Sequence, residues 1–291
     1  MNKQTIYKTA AGKSSIRHHY EDYLKLLRTE FERAYVETRF GKTHTLVIGP
    51  PSGKPVFIFQ GGNCINPMTL SWFTSLFEEY RIYAPDTLGH PGYSAETRIN
   101  ASDESFALWA SDLLSHFKIE QAAFIGPSYG AGIILRIVAF RPELIACSVL
   151  LSPSGIKLGS TVKMIRQILL PLLMFKLNSS GRQLDNITNA MSNGSMKEVD
   201  KQVIGSIFKH VKLEQEMPKL TTKAELSSYF APTLVVAGQQ DVFFPAKKVI
   251  TAAEAIISNL ASVEYDMGHF PSESQLVDIN HRIKQFLKQH Y

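Results

Sequence analysis

Between Ala122 and Phe140 the chain passes from a short apolar stretch, Ala122 to Ile125, directly into Gly126-Pro127-Ser128-Tyr129-Gly130. It then enters a nearly all-apolar run, Ala131 to Phe140, which Arg141-Pro142 ends. A strand without polar alternation is buried on both faces, as in a parallel sheet, and a helix that is apolar all round needs cover on every side. This one segment therefore demands a layered α/β core with a sharp turn between strand and helix. Composition supports it: 44% hydrophobic and 20% charged residues can build such a core without staples, and they exclude disorder. A length of 291 residues suits two domains, or one α/β domain carrying an insertion.

The rest of the chain alternates short apolar runs with amphipathic ones. Ile16, Tyr20, Leu24, Leu27 and Phe31 recur at helical spacing, which predicts a helical N-terminal extension over 1–33 packed across the domain. Two β-rich stretches, Ala34 to Phe40 and Thr43 to Ile48, flank Gly41-Lys42 and read as an antiparallel hairpin turning there. Strands follow at Pro55 to Phe59, Arg81 to Ala84, Ala122 to Ile125, Ser148 to Leu151, Thr233 to Ala237 and Val263 to Tyr265. One helix is expected after Ser102 as N-cap, with Phe106, Trp109, Leu113 and Phe117 on one face. Another carries Val249, Ala253 and Ile257, and a capping box of Ser272 and Gln275 opens the last, with Leu276, Ile279, Ile283 and Leu287 inward. Residues 152–230 break the rhythm with helical patterns and no strand. The expected organisation is a core of 34–151 and 231–291 with a helical cap, 152–230, inserted over the sheet.

The loops carry the chemistry. Gly126 to Gly130 matches G-x-S-x-G in the context that gives the pattern meaning, a strand before and a buried helix after. A nucleophile on a strained turn projects its Oγ clear of the backbone, and the turn closes only if the residues two before and two after Ser128 lack bulk. Serine is a weak nucleophile at neutral pH and needs a base and an acid, expected in the order Ser, Asp, His. Asp241 follows the Thr233 to Ala237 strand, and His269 follows the Val263 to Tyr265 strand. Asp266 is the rival acid, and His90 the rival base, although His90 precedes the serine. After Phe59, Gln60-Gly61-Gly62-Asn63 allows close backbone approach, so the N–H groups of Gly62 and Tyr129 are the candidate oxyanion donors. Cys64 beside them has no base and reads as a small buried hydrophobe. Asn63, Leu169, Leu172, Leu173 and Phe243 are candidate pocket residues, with Met174 as a further contributor. Pro171 should bend its apolar run over the site.

Taken together, Gln60-Gly61-Gly62, the run Asp86 to Ser94, Gly126 to Gly130, Gly238 to Asp241 and Met267 to Phe270 resemble the α/β-hydrolase superfamily from about Tyr35 to the end. More narrowly, the N-terminal helix with Thr38 to His44 and Gly49-Pro50 is similar to bacterial carboxylesterases of the naproxen-esterase group. The resemblance implies a mostly parallel central sheet flanked by helices. It also implies Ser128, Asp241 and His269 as nucleophile, acid and base, a cap in the insertion, a small-molecule ester substrate and no cofactor or metal. Gln60 departs from the His usual before the first glycine of that loop. The same triad serves peptidase, C–C hydrolase and acyltransferase chemistry on this fold, and a non-catalytic ligand-binding member is the other reading. A net charge of +5 points to no nucleic-acid partner. Two cysteines, Cys64 and Cys147, make no disulfide or zinc pattern, and the polar start and short apolar runs predict neither a signal peptide nor a membrane span. The expected setting is cytoplasmic.

Overall fold

The computed structural model describes residues 5–291, so residues 1–4 of the expected N-terminal extension lie outside the described residues. Helix α1 (Ala10–Leu26) starts at Thr9, whose side chain accepts the Gly12 N–H, and buries Ile16, Tyr20, Tyr23 and Leu24. It stops five residues before Phe31. That residue opens strand β1 (Phe31–Thr38) instead of continuing the helix, so the helical part of the extension is shorter than its hydrophobic spacing suggested. Strand β2 (Gly41–Ile48) pairs antiparallel with β1 in a register that joins Thr38 to Gly41. The hairpin therefore turns at Arg39-Phe40, two residues earlier than expected. Gly41 does adopt a positive φ of 128°, but as the first paired residue after the turn.

Strand β3 (Lys54–Ile58), a short helix α2 (Asn66–Leu70) and strand β4 (Tyr80–Pro85) follow. Helix α3 spans Ser105–His116 with Glu104 in the N-cap position, two residues beyond the expected start. The side chains of Asn100 and Asp103 accept the N–H groups of Ser102 and Ser105 and hold the intervening backbone in turns. Strand β5 (Ala122–Pro127) runs into helix α4 (Tyr129–Phe140), then strand β6 (Ile145–Leu151). Helices α5 (Thr161–Met164), α6 (Leu170–Asn178), α7 (Gly181–Ser192) and α8 (Glu198–His210) occupy the stretch before strand β7 (Thr233–Gly238). Helix α9 (Ala246–Ile256), strand β8 (Leu260–Tyr265) and helix α10 (Glu273–His290) close the chain, and Ser272 with Gln275 makes the capping box that opens α10.

The strand order is β1-β2-β4-β3-β5-β6-β7-β8, with every pair from β4 to β8 parallel. Alternate residues of β5 feed two cores. Ala123 and Ile125 join the side covered by α1, α8 and α10, and Ala122 and Phe124 join the side covered by α3, α4 and α9. Between α5 and α6, Ile165–Leu169 widens into a π-turn. Pro171 has no N–H for the carbonyl four residues back and its ring crowds that position, so the widened turn absorbs the proline with the helix running on. Among the described residues no helix is long and apolar enough to cross a membrane.

One ion pair anchors the segment that leads from the helices back to the sheet. Arg136, fully buried on α4, donates to Glu225 at 2.9 Å and to Thr221 Oγ1 at 2.8 Å. Desolvation works to raise the Glu225 carboxyl, but Arg136, with Thr222 and Lys219, outweighs it and holds the group at about 2. A carboxyl depressed on folding adds stability above its unfolded value near 4.5 and loses it as pH falls toward 2. Glu225→Gln should therefore flatten that part of the acid limb in urea titrations. Glu225→Ala, which strands a buried guanidinium, should cost about 3 kcal/mol at neutral pH. An unchanged midpoint in both would show that the pair does not anchor the segment.

Candidate active site

Ser128 sits at the junction of β5 and α4 with φ 52° and ψ −115°, a conformation that a non-glycine residue holds only under constraint from its surroundings. The constraint is backbone packing. A Cβ on Gly126 would lie 2.5 Å from the Gly130 carbonyl carbon, and one on Gly130 would lie 2.3 Å from the Phe59 carbonyl oxygen. Only glycine at both positions lets the turn close and lets α4 begin against the end of β3. Ser128 does not cap α4 with its side chain. The first N–H of the helix, that of Tyr129, therefore has no intrahelical partner and is free for a ligand. Gly62 packs against Tyr129, where a Cβ would be 3.0 Å from the tyrosine Cβ, so the two candidate oxyanion donors belong to adjacent residues.

His269 and Asp241 come together from the loops after β8 and β7. Nδ1 of His269 donates to Asp241 Oδ2 at 2.8 Å, and Asp241 Oδ1 accepts the N–H groups of Phe243 and Phe244 at 2.7 and 3.0 Å. Because a carboxylate only accepts, Nδ1 carries a proton, and in the tautomer this fixes for the neutral ring Nε2 is the acceptor. The rings of Phe243 and Phe244 pack on the imidazole with centroids 5.0 and 5.6 Å away and hold it in place. Asp266 is exposed and its carbonyl is taken by the Gln275 side chain, so the carboxylate that meets His269 is Asp241. His90 is buried beneath Tyr129, ring centroids 4.8 Å apart, and burial lowers its pKa to about 4. It is a neutral packing group there.

Ser128, His269, Gly62 and Tyr129 all line one cavity of about 670 Å³. So do Asn63, Leu169, Leu172, Leu173 and Phe243, whereas Met174 does not. The Asn63 amide is already engaged: it donates to the Glu214 carbonyl at 3.1 Å and accepts the Glu214 N–H at 2.7 Å. Sequence reasoning missed much of the wall, including Met68, Trp72, Ile204, Phe208, Leu213 and Phe270. These residues come from segments far apart in the chain and read individually as ordinary core, so no local pattern marks them. Burial pushes the Cys64 thiol up to about 12, and its Sγ donates to the Ile65 carbonyl. Among the described residues no cluster of His, Cys, Asp and Glu could hold a metal ion.

The sequence profile of the alpha/beta hydrolase fold matches residues 54–173. Naproxen esterase (carboxylesterase NP) from Bacillus subtilis superposes with a TM-score of 0.84 over 96% of this chain and 99% of that one, at 20% identity. The fold is that of the α/β-hydrolases. A second solved α/β-hydrolase structure, carboxylesterase CesB from Bacillus subtilis, superposes with a TM-score of 0.80 at 22% identity, covering 96% of this chain and 99% of the other. In sequence, the chain is 24% identical to an uncharacterized carboxylesterase of Bacillus subtilis strain 168 over 92% of its own length and 90% of that protein's.

Within this fold, two features left without a role in the sequence have one in the structure. Gln60 is fully buried; its Nε2 donates to the Cys64 carbonyl at 2.9 Å and its Oε1 accepts the Thr87 N–H at 3.1 Å. One amide thus ties the Gly61-Gly62 loop to the end of β4. Asp86 is buried as well and gathers the Tyr20 hydroxyl at 2.8 Å, His44 Nδ1 at 2.9 Å and the Tyr93 N–H at 2.8 Å, joining α1 to the sheet. Gln60→Leu leaves a buried carbonyl and a buried N–H unpaired, so it should destabilise the protein by about 2–4 kcal/mol in chemical denaturation. A change under about 0.5 kcal/mol would show that the loop holds itself without the amide.

Proposed function

We propose that the chain is a serine hydrolase of the carboxylesterase type, acting on small, largely apolar carboxylic esters. The observation that carries this reading is the Asp241–His269 hydrogen bond, with His269 lining the same apolar cavity as the strained Ser128. In the proposed reaction Ser128 Oγ attacks the acyl carbon as His269 Nε2 takes its proton. The N–H groups of Tyr129 and Gly62 receive the charge that develops on the carbonyl oxygen, and Asp241 stabilises the imidazolium. The imidazolium then protonates the departing alcohol. A water deprotonated by His269 cleaves the acyl-enzyme, returning Ser128 and releasing the acid.

Residues 152–230 act in this reading as a cap over a core of 34–151 and 231–291. Leu169, Leu172 and Leu173 form one wall of the pocket, Phe243 faces them from the acid loop, and Asn63 positions the cap through Glu214. Apolar walls suit an ester because each methylene taken out of water contributes roughly 0.8 kcal/mol. No cofactor is required by this chemistry. The relatives named carboxylesterases support the ester reading over other reactions of the same triad. Two buried free thiols, Cys64 and Cys147, suit a reducing compartment, and we place the protein in the cytoplasm.

Ser128→Ala should lower p-nitrophenyl ester hydrolysis by several orders of magnitude with the fold retained. Asp241→Asn should lower kcat by up to about 10⁴ through the wrong imidazole tautomer, while Asp266→Asn should change it little. The reverse ranking of the two aspartates would remove Asp241 from the triad. Across p-nitrophenyl esters of increasing chain length, kcat/KM should climb and then fall once the pocket is full, and Leu172→Asn should blunt that preference. A flat profile in both proteins would place the acyl chain outside this cavity.

A further inference from the structure

The helix formed by α5, the π-turn and α6 is apolar on two sides. Its inner side is covered: Ile168 and Phe175 are buried and Leu172 packs on the core. Its outer side is not. Val162 is 74% exposed, Leu173 56% and Leu177 80%, with Ile165 and Leu169 between them nearly half exposed. Positions 162, 165, 169, 173 and 177 recur every three or four residues, so they form one continuous stripe along the outer surface. A stripe of large aliphatic residues facing water marks a contact surface, since a helix that is apolar all round normally lies inside a protein.

Charge identifies the kind of contact. From Ile156 to Leu184 there are five basic residues, Lys157, Lys163, Arg166, Lys176 and Arg182, and no acidic one. All five are exposed, and none has an ion-pair partner among the described residues. Aliphatic side chains framed by unpaired cations match a bilayer of anionic lipids, in which acyl chains take the stripe and headgroups take the charges. A second copy of this chain fits less well, because a two-fold contact through this stripe would bring the same five cations face to face. The stripe is also continuous with the cavity, since Leu169 and Leu173 belong to both.

We propose that the outer face of the helix from Thr161 to Asn178 docks the protein onto an anionic lipid surface, with the cavity mouth beside the bilayer. Sedimentation with vesicles tests this, and it reads binding without turnover, so it stands or falls separately from the ester reading. The full-length protein should co-sediment with phosphatidylglycerol–phosphatidylcholine vesicles, more weakly as salt rises, and hardly at all with phosphatidylcholine alone. Val162→Asp with Leu177→Asp, both outside the cavity, should lower the vesicle partition coefficient at least about tenfold while hydrolysis of a water-soluble ester is unchanged. Lys163→Glu with Arg166→Glu should do the same through charge alone, which keeps the test valid if the first pair fails to fold. Absence of binding to anionic vesicles at low salt, or binding that both pairs of substitutions leave intact, would overturn the proposal. A concentration-dependent dimer in sedimentation velocity that the same substitutions abolish, without vesicle binding, would also overturn it and assign the stripe to self-association.

Discussion

The structure depends on one backbone-to-backbone contact, where the start of α4 at Gly130 presses against the carbonyl oxygens of Phe59 and Gln60 at the end of β3. With no Cβ at Gly130, helix and strand end come within a distance that any side chain would forbid. Three things follow from that closeness. Ser128 is forced to a positive φ at the tip of the turn, the free N–H of Tyr129 lies beside Gly62, and the loop from Gln60 to Cys64 becomes one side of the cavity. The strain at Ser128 is held by packing on both sides, since its N–H donates to the Leu151 carbonyl and its own carbonyl accepts from Gly132 and from Ser154.

The helices between β6 and β7 are fastened to the same loops. The Gly159 N–H donates to the Phe243 carbonyl at 2.6 Å, and the Phe270 N–H to the Met191 carbonyl at 3.0 Å. The Asn63 amide clasps the backbone of Glu214. Each loop that carries a proposed functional group, those of Gly62, Asp241 and His269, is thus hydrogen-bonded to the segment between β6 and β7. Helix α1 adds a brace from the far side: Tyr20 reaches Asp86 at the end of β4, and Tyr23 reaches Asp200 on α8 at 2.5 Å. These hydrogen bonds tie the pocket wall to the loops that carry the proposed triad.

Much of this was legible in the sequence because strong physical demands leave local marks. The all-apolar strand before Ser128, the glycines at 126 and 130 and the capping box at Ser272 each specify a conformation with few alternatives. Weaker marks misled. Helical spacing carried through Phe31 because that residue continues the apolar period, although the chain has already turned into β1. Gly41 has the marks of a hairpin turn because a positive φ is its usual service, yet it provides that φ as the first paired residue of β2. Ser102 has the chemistry of an N-cap, but Asn100 and Asp103 compete for the same backbone. The buried meeting of Asp86, His44 and Tyr20 left no trace, since polar residues so far apart announce a shared site only after folding. The part of the cavity wall made by Met68, Trp72, Ile204, Phe208, Leu213 and Phe270 is hidden for the same reason.

The central claim is that the constrained turn at Ser128 presents the one activated nucleophile of this cavity. The most direct measurement is peptide mass mapping of the protein after treatment with diisopropyl fluorophosphate at neutral pH. The account predicts a single diisopropylphosphoryl adduct per chain, on Ser128 with loss of fluoride, which is lost when His269 is replaced by Ala because Oγ then has no base. An adduct on another residue, or labelling of Ser128 that does not depend on His269, would contradict it.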